Sequence, residues 1–364
     1  MSEEDKYIVR LFNRNDWKGY SMTARTLRSL LIAGSVTGAL LVPAAALAEG
    51  EVNLYTTREP GLIQPLIDVF TAETGITVNT VFVKDGLPER VQAEGANSPV
   101  DVLMTVDVGG LVDIEDKGVT QPIESEILHA KVPENLRDPN GHWFALSKRA
   151  RVLYVEKDLD LETFTYEQLA DPGWNGKVCI RSGQHPYNVA LIAAYIAHHG
   201  EDAARTWLEG VKANLARQPG GGDRDVARDI LGGICDIGPA NSYYVGLMRS
   251  GAGGPEQEEW GKAIRVILPT FEGGGTHVNV SGAAIARNAP NKDNALRFLE
   301  FLVSDEAQGL YAQQNFEYPV NAGAALDPII AEFGTLDTDG LTLSEIASHR
   351  AAASRIVDEV GFDN

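Results

Sequence analysis

Leu62, Ile63, Leu66, Ile67 and Phe70 recur at the three- and four-residue spacing of one helix face, and Gly75 stands where that helix would end. The apolar runs at 52–56 and 76–83 on either side are short and β-branched, and they read as strands. The same alternation continues down the chain. Strands are predicted at 100–106, with Asp107 at the end, and at 152–155, 178–180, 234–237, 264–268 and 278–285. Helices are predicted at 87–94, closed by Gly95, and at 189–199, 203–213, 224–231, 294–302 and 346–360. Strands alternating with helices imply an α/β architecture, sheets flanked by helices. The glycine-rich stretches at 220–222, 251–254 and 273–275 are loops. None is followed by Gly-Lys-Ser/Thr and no Rossmann fingerprint is present, so no phosphate-cradling motif stands out.

The first 48 residues do not fit this pattern. Residues 22–48 have a basic start, an apolar run from Leu30 to Ala46, and small residues at Ala46 and Ala48, the layout of a secretory signal peptide cleaved after Ala48. Residues 1–21 are polar and charged, and read as a mis-assigned extension ahead of a true start at Met22. A membrane anchor is the competing reading of the apolar run, but it is shorter than the ~20 residues a span needs and Pro43 interrupts it. No cysteine follows the cleavage site, which disfavours a lipid anchor. Net charge is −20, against a nucleic-acid partner and in favour of solubility in an exposed compartment. The two cysteines, Cys179 and Cys235, sit in short apolar segments. Export makes a disulfide between them the favoured reading, with two buried thiols as the alternative.

The chemistry lies in the tyrosines. Tyr243 and Tyr244 are adjacent; in a strand they would point to opposite faces, whereas in a turn their oxygens can converge. Tyr187 follows another predicted strand. Three phenolates around one point suit a hard, highly charged cation, and ferric iron is the natural candidate. Read alone, Tyr-Tyr is more simply two aromatics at a strand end, one in the core and one at the surface. Read alone, Arg149 and Arg151 are a solvated alternating strand edge. His198 and His199 end a predicted helix, where positive charge favours the dipole, and His277 reads as structural. No zinc pattern, nucleophile elbow or Ser-x-x-Lys motif appears, so no catalytic constellation is visible.

Several stretches in order carry a resemblance: Val52-Asn53-Leu54-Tyr55-Thr56-Thr57-Arg58, Asp101-Val102-Leu103-Met104-Thr105-Val106-Asp107, Lys148-Arg149-Ala150-Arg151, Arg181-Ser182 through Tyr187-Asn188, Ala240-Asn241-Ser242-Tyr243-Tyr244, and Gly275-Thr276-His277 through Gly282. In these the chain after residue 48 resembles the periplasmic ferric-iron-binding proteins of ABC importers. The resemblance implies a two-lobed α/β periplasmic binding protein of type II, with ligand in the interlobe cleft. Lobe 1 would comprise 49–147 and 272–325, and lobe 2 148–271 and 326–364. It implies Fe(3+) held by Tyr187, Tyr243 and Tyr244, and carbonate or another synergistic anion paired with Arg149, with Arg58 as a second candidate. It further implies a monomer in the periplasm that hands iron to an inner-membrane permease. Two positions depart from the family pattern. Where relatives carry His or Tyr ligands, this chain has Glu59 and Pro60; Pro60 has no donor, and Glu59 offers a hard carboxylate oxygen. Gly220-Gly221-Gly222 replaces polar residues of the family. The competing readings are a receptor of the same fold for an anionic organic solute, and a secreted hydrolase.

Overall fold

A computed structural model describes residues 50–364; the expected leader at 22–48 and the stretch before it lie outside the described residues. In chain order the elements are β1 (Gly50–Thr56), α1 (Pro60–Thr74), β2 (Ile76–Phe82), α2 (Leu87–Glu94), β3 (Val102–Thr105), α3 (Val108–Asp116), β4 (Thr120–Gln121), α4 (Glu126–Lys131) and the long β5 (Phe144–Glu156). There follow α5 (Pro186–His199), α6 (Glu201–Ala213), α7 (Asp223–Leu231), β6 (Ile237–Asn241), α8 (Tyr243–Arg249), α9 (Pro255–Lys262), β7 (Ile264–Ile267) and β8 (Val278–Ala286). The chain ends with α10 (Lys292–Leu302), α11 (Asp305–Asn315), β9 (Tyr318–Pro319), α12 (Pro328–Ala331), α13 (Leu343–Ser348) and α14 (Arg350–Val360).

The fold is a two-lobed α/β one, and β5 belongs to both lobes. β1 pairs in parallel with β2 and β3, and β3 runs antiparallel to β8. Residues Phe144 to Ala150 of β5 ladder onto β8; from Arg151 onward the same strand ladders onto β6 and β7. β9 lies beside β5 at Ser147 and Lys148. One uninterrupted strand thus carries the chain from the first sheet into the second. The second lobe closes around Leu153, Tyr166, Leu191, Trp207 and Ile237, with Ile356 and Val357 of α14 completing the core.

Local chemistry explains most boundaries. α1 starts with Pro60 at its first turn, where the missing N–H costs nothing, buries Ile63, Leu66, Ile67 and Phe70, and ends at Gly75 in the left-handed region (φ 73°). The disulfide Cys179–Cys235 is formed, with Cα atoms 5.8 Å apart.

Three expectations need correcting, and one helix joins the expected elements. Residues 178–180 form no strand: Val178 makes only isolated bridges to Leu215 and Ile237, and the disulfide pins the segment instead. The strand expected at 234–237 begins only at Ile237, because the Ile234 N–H still bonds to Asp229 O at the exit of α7, leaving Ile234 half exposed. The helix expected at 346–360 is two helices, since Thr342 caps α13 and the chain breaks at His349 before α14. Finally α3 was not foreseen; Asp107 is its N-cap, accepting from Gly110 N at 3.0 Å.

Candidate metal centre

Tyr187 and Tyr243 come from different helices and meet at their tips. Tyr187 lies in the first turn of α5, behind Pro186, and its N–H bonds to Nδ1 of the capping His185 at 3.2 Å. Tyr243 and Tyr244 open α8 rather than a free turn. Successive helical residues are rotated by about 100°, so their rings can share one end of the helix; the two ring centroids are 4.1 Å apart. The hydroxyl oxygens of Tyr187 and Tyr243 stand 3.5 Å apart. Arg181 lies over the Tyr187 ring and Arg224 over the Tyr244 ring, at 5.2 and 5.6 Å from the centroids.

These two helix starts are fixed by a buried polar network absent from the sequence reading. Asp223, fully buried, accepts from Arg151 Nη1 at 2.7 Å, Arg181 Nη1 at 3.3 Å and the Asn241 N–H at 2.7 Å. Arg151 Nη2 donates to Asn188 Oδ1 at 2.6 Å, and Asn188 Nδ2 in turn holds the carbonyls of Arg181 and Ser182. Tyr187 and Tyr243 are therefore neighbours of residues locked to one carboxylate. Arg151 is not the solvated edge residue expected of it; it is 1 % exposed.

Arg149 is likewise buried, 4 % exposed. Its guanidinium donates to Ser281 Oγ at 3.3 Å, to Val280 O at 2.9 Å and to Val106 O. Burial alone would lower it, but Glu317, Tyr187 and Tyr243 outweigh that and hold it above its ordinary value. Burial, then the Tyr187 and Tyr244 phenols, push Tyr243 well above the ordinary range, with Arg149 pulling the other way. Without a cation Tyr243 is a neutral phenol at any physiological pH.

Arg58 sits beside Arg149, donating to the same Ser281 Oγ at 2.9 Å, and pairs with buried Glu317 at 2.5 Å. Ser147 Oγ donates to the other Glu317 oxygen. Glu317 sits just ahead of β9, in a stretch with no motif to announce it. Glu59 caps the start of α1 by backbone position only, half buried, with no side-chain cap bond.

Three of the remaining expectations resolve simply. His198 and His199 pair with Asp339 at 3.0 Å and Glu167 at 2.7 Å. His277 is buried with no partner at either ring nitrogen, and burial brings it down to about 4. Among the described residues no group of three His, Cys, Asp or Glu side chains could hold a metal, so phenol oxygens are the concentrated hard donors. A cleft of about 800 Å³ opens between Lys84, Asp107 and Asp113 on one side and Gln184, Pro186 and Arg350 on the other. Its lining includes Pro186 but not the tyrosines themselves, so the phenols adjoin the cleft rather than line it. No helix among the described residues is long and apolar enough to cross a membrane.

Residues 97–337 match the family described as bacterial extracellular solute-binding protein. "Iron uptake protein A1" of Synechocystis is 44 % identical over 315 residues, 86 % of this chain and 87 % of that one. A solved structure described as "Bordetella ferric binding protein" is 65 % identical, with a TM-score of 0.84, covering 86 % of this chain and all of that one. A Trichodesmium structure described as being in complex with iron and citrate ligands is 42 % identical, with a TM-score of 0.82, over 86 % of this chain and all of the other.

Proposed function

We propose, for a chain that belongs to the bacterial extracellular solute-binding protein family, that it captures ferric iron in the periplasm and delivers it to the inner-membrane permease of an ABC importer. The family is one of solute binders, and the protein is a receptor rather than an enzyme. In this reading Tyr187, Tyr243 and Tyr244 are the ligands. The observation that carries it is the meeting of two phenol oxygens from separate helices at 3.5 Å, with the third ring tilted against the Tyr243 ring at 4.1 Å between centroids.

The chemistry follows from charge. A trivalent ion stabilises phenolate and expels the phenol proton, so capture releases protons and weakens as pH falls. Three phenolates balance the 3+ charge, which lets the complex be buried without a large net charge. Arg149, whose planar fork suits a carboxylate or carbonate, stands within electrostatic reach of Tyr187 and Tyr243 and is the group that would hold an accompanying anion. Glu59 is a further oxygen donor at the start of α1 that could complete the coordination. Hinge movement of the lobes along β5 and β8 would close the cleft and create the surface the permease reads.

The test is a titration of metal-free protein with ferric citrate, followed by visible absorbance, in the parent and in Tyr243→Phe and Tyr244→Phe. A saturating coloured band lost or shifted in the variants supports phenolate ligation. A colourless parent that retains no iron removes the proposal and brings forward the anionic organic solute, for which a cleft of about 800 Å³ has ample room.

A further inference from the structure

Two guanidinium groups, Arg58 from the turn after β1 and Arg149 from the middle of β5, converge on Ser281 Oγ at 2.9 and 3.3 Å. Both are at least nine-tenths buried, and the Nε of each has no hydrogen-bond partner among the described residues. Such a pair repels itself unless a carboxylate is supplied. One is: Glu317, 4 % exposed, pairs with Arg58 Nη2 at 2.5 Å and accepts from Ser147 Oγ. β9 sets Tyr318 opposite Lys148 on β5, so Glu317, one residue earlier, falls on the opposite face of the sheet, the face of Ser147 and Arg149. Arg151 and Arg181 answer to a different carboxylate, Asp223.

We propose that Glu317 is a built-in counter-anion that occupies Arg58, leaves Arg149 alone to receive the anion accompanying the metal, and so biases the site toward singly charged over doubly charged anions. This rests on the ferric reading above. The charge count is simple. Three phenolates offset the ferric ion, Glu317 offsets Arg58, and Arg149 is left with one uncompensated positive charge. Removing the Glu317 charge adds a second. A doubly charged anion gains twice as much from that change as a singly charged one, because Coulomb energy scales with the product of charges. Glu59, half exposed and without a side-chain cap bond, faces solvent screening that Glu317 does not.

The experiment uses metal-free protein in bicarbonate-depleted buffer with ferric iron held constant. Formate or sulfate is added, and the half-saturating anion concentration for the coloured complex is read. Relative to the parent, Glu317→Gln is expected to bind formate roughly tenfold and sulfate roughly a hundredfold more tightly, the logarithm doubling with charge. Arg58→Gln is expected to shift both the other way, and the double variant Arg58→Gln/Glu317→Gln to return the sulfate-to-formate ratio to that of the parent. Those two variants keep the test decisive should Glu317→Gln fold poorly. A coloured parent complex with an unchanged sulfate-to-formate ratio in all three variants overturns the role of Glu317 alone. A parent that forms no coloured complex under any anion overturns the ferric reading and this inference with it.

Discussion

Replacing Asp223 with Asn should destabilise the protein by about 3 kcal/mol. Asp223 is fully buried, Arg151 nearly so, and their N–O separation is 2.7 Å; Arg181 approaches the other carboxylate oxygen at 3.3 Å. Removing one member of a buried pair leaves an uncompensated charge, at a cost of roughly 3–5 kcal/mol. Losing the partner of two arginines argues for the upper end. Asparagine, however, keeps one acceptor oxygen, which in the Oδ2 position still serves both Arg151 and the Asn241 N–H, and this argues for the lower. Equilibrium urea unfolding followed by tryptophan fluorescence measures the loss. A second variant, Arg151→Met with Asp223→Leu, removes both charges of the closer pair and takes the carboxylate from Arg181 alone, so it should be less destabilised than Asp223→Asn, which takes it from two buried arginines. Because the network holds the residues next to Tyr187 and Tyr243, Asp223→Asn should also weaken ferric binding by about tenfold, the loss expected when groups that orient a metal's ligands are removed. A change in stability below about 1 kcal/mol, the range of exposed pairs, would refute the reasoning, since it would mean water already screens the cluster.

Three further outcomes are expected. His277 is buried and held near 4 against an ordinary 6.5, so the unfolded chain binds its proton first as pH falls; stability from this residue is complete above 6.5 and falls by about 3 kcal/mol down to pH 4. His277→Leu should flatten that part of the pH–stability curve, and an unchanged slope would place the acid sensitivity elsewhere, His185 being the other histidine lowered to about 4 by burial. Cys179→Ser with Cys235→Ser opens a loop spanning 56 residues and should lower stability by about 4 kcal/mol in urea unfolding. In Gly246→Ala the new methyl would lie 2.2 Å from the Phe316 ring, one turn from Tyr243, so a loss of about 1–3 kcal/mol with a shifted ferric absorbance band is expected, and unchanged thermal and spectral behaviour would contradict it.

Much of the fold was legible because its signals are local. The helix ending at Gly75 and the runs that became β1, β2 and β8 announce themselves within a dozen residues. α3 escaped because Gly109 and Gly110 depress helix propensity in its first turn, although Val108, Leu111 and Ile114 do keep a three-residue spacing. The tyrosines of the candidate site were found by residue type and resemblance, while the groups that position them were not. Arg151, Arg181 and Asn241 come from three separate segments, and only folding brings them to the Asp223 carboxylate, with Asn188 joined through Arg151. Glu317 was invisible for the same reason. It follows Phe316, whose left-handed backbone (φ 56°) turns the chain out of α11 and into β9, and nothing in Asn-Phe-Glu-Tyr-Pro reveals that Arg58 waits for it across the sheet.

β5 also decides how this protein can be recombined. Since Phe144–Ala150 belongs to one ladder and Arg151–Glu156 to another, neither lobe owns its central strand. A fragment ending at residue 150 would expose a strand edge of unpaired backbone groups, an invitation to aggregate. A chimera that takes one lobe from a relative must therefore splice inside a continuous strand, and must change partner at Arg151, whose N–H bonds to His277 O on the returning chain. Joints in β5 and ahead of β8 must be matched by a third joint ahead of α14, whose Ile356 and Val357 return to the second lobe's core; a joint at one alone mismatches the pairing. The two lobes are thus inherited as a single unit, exchangeable only through coordinated crossovers at all three joints.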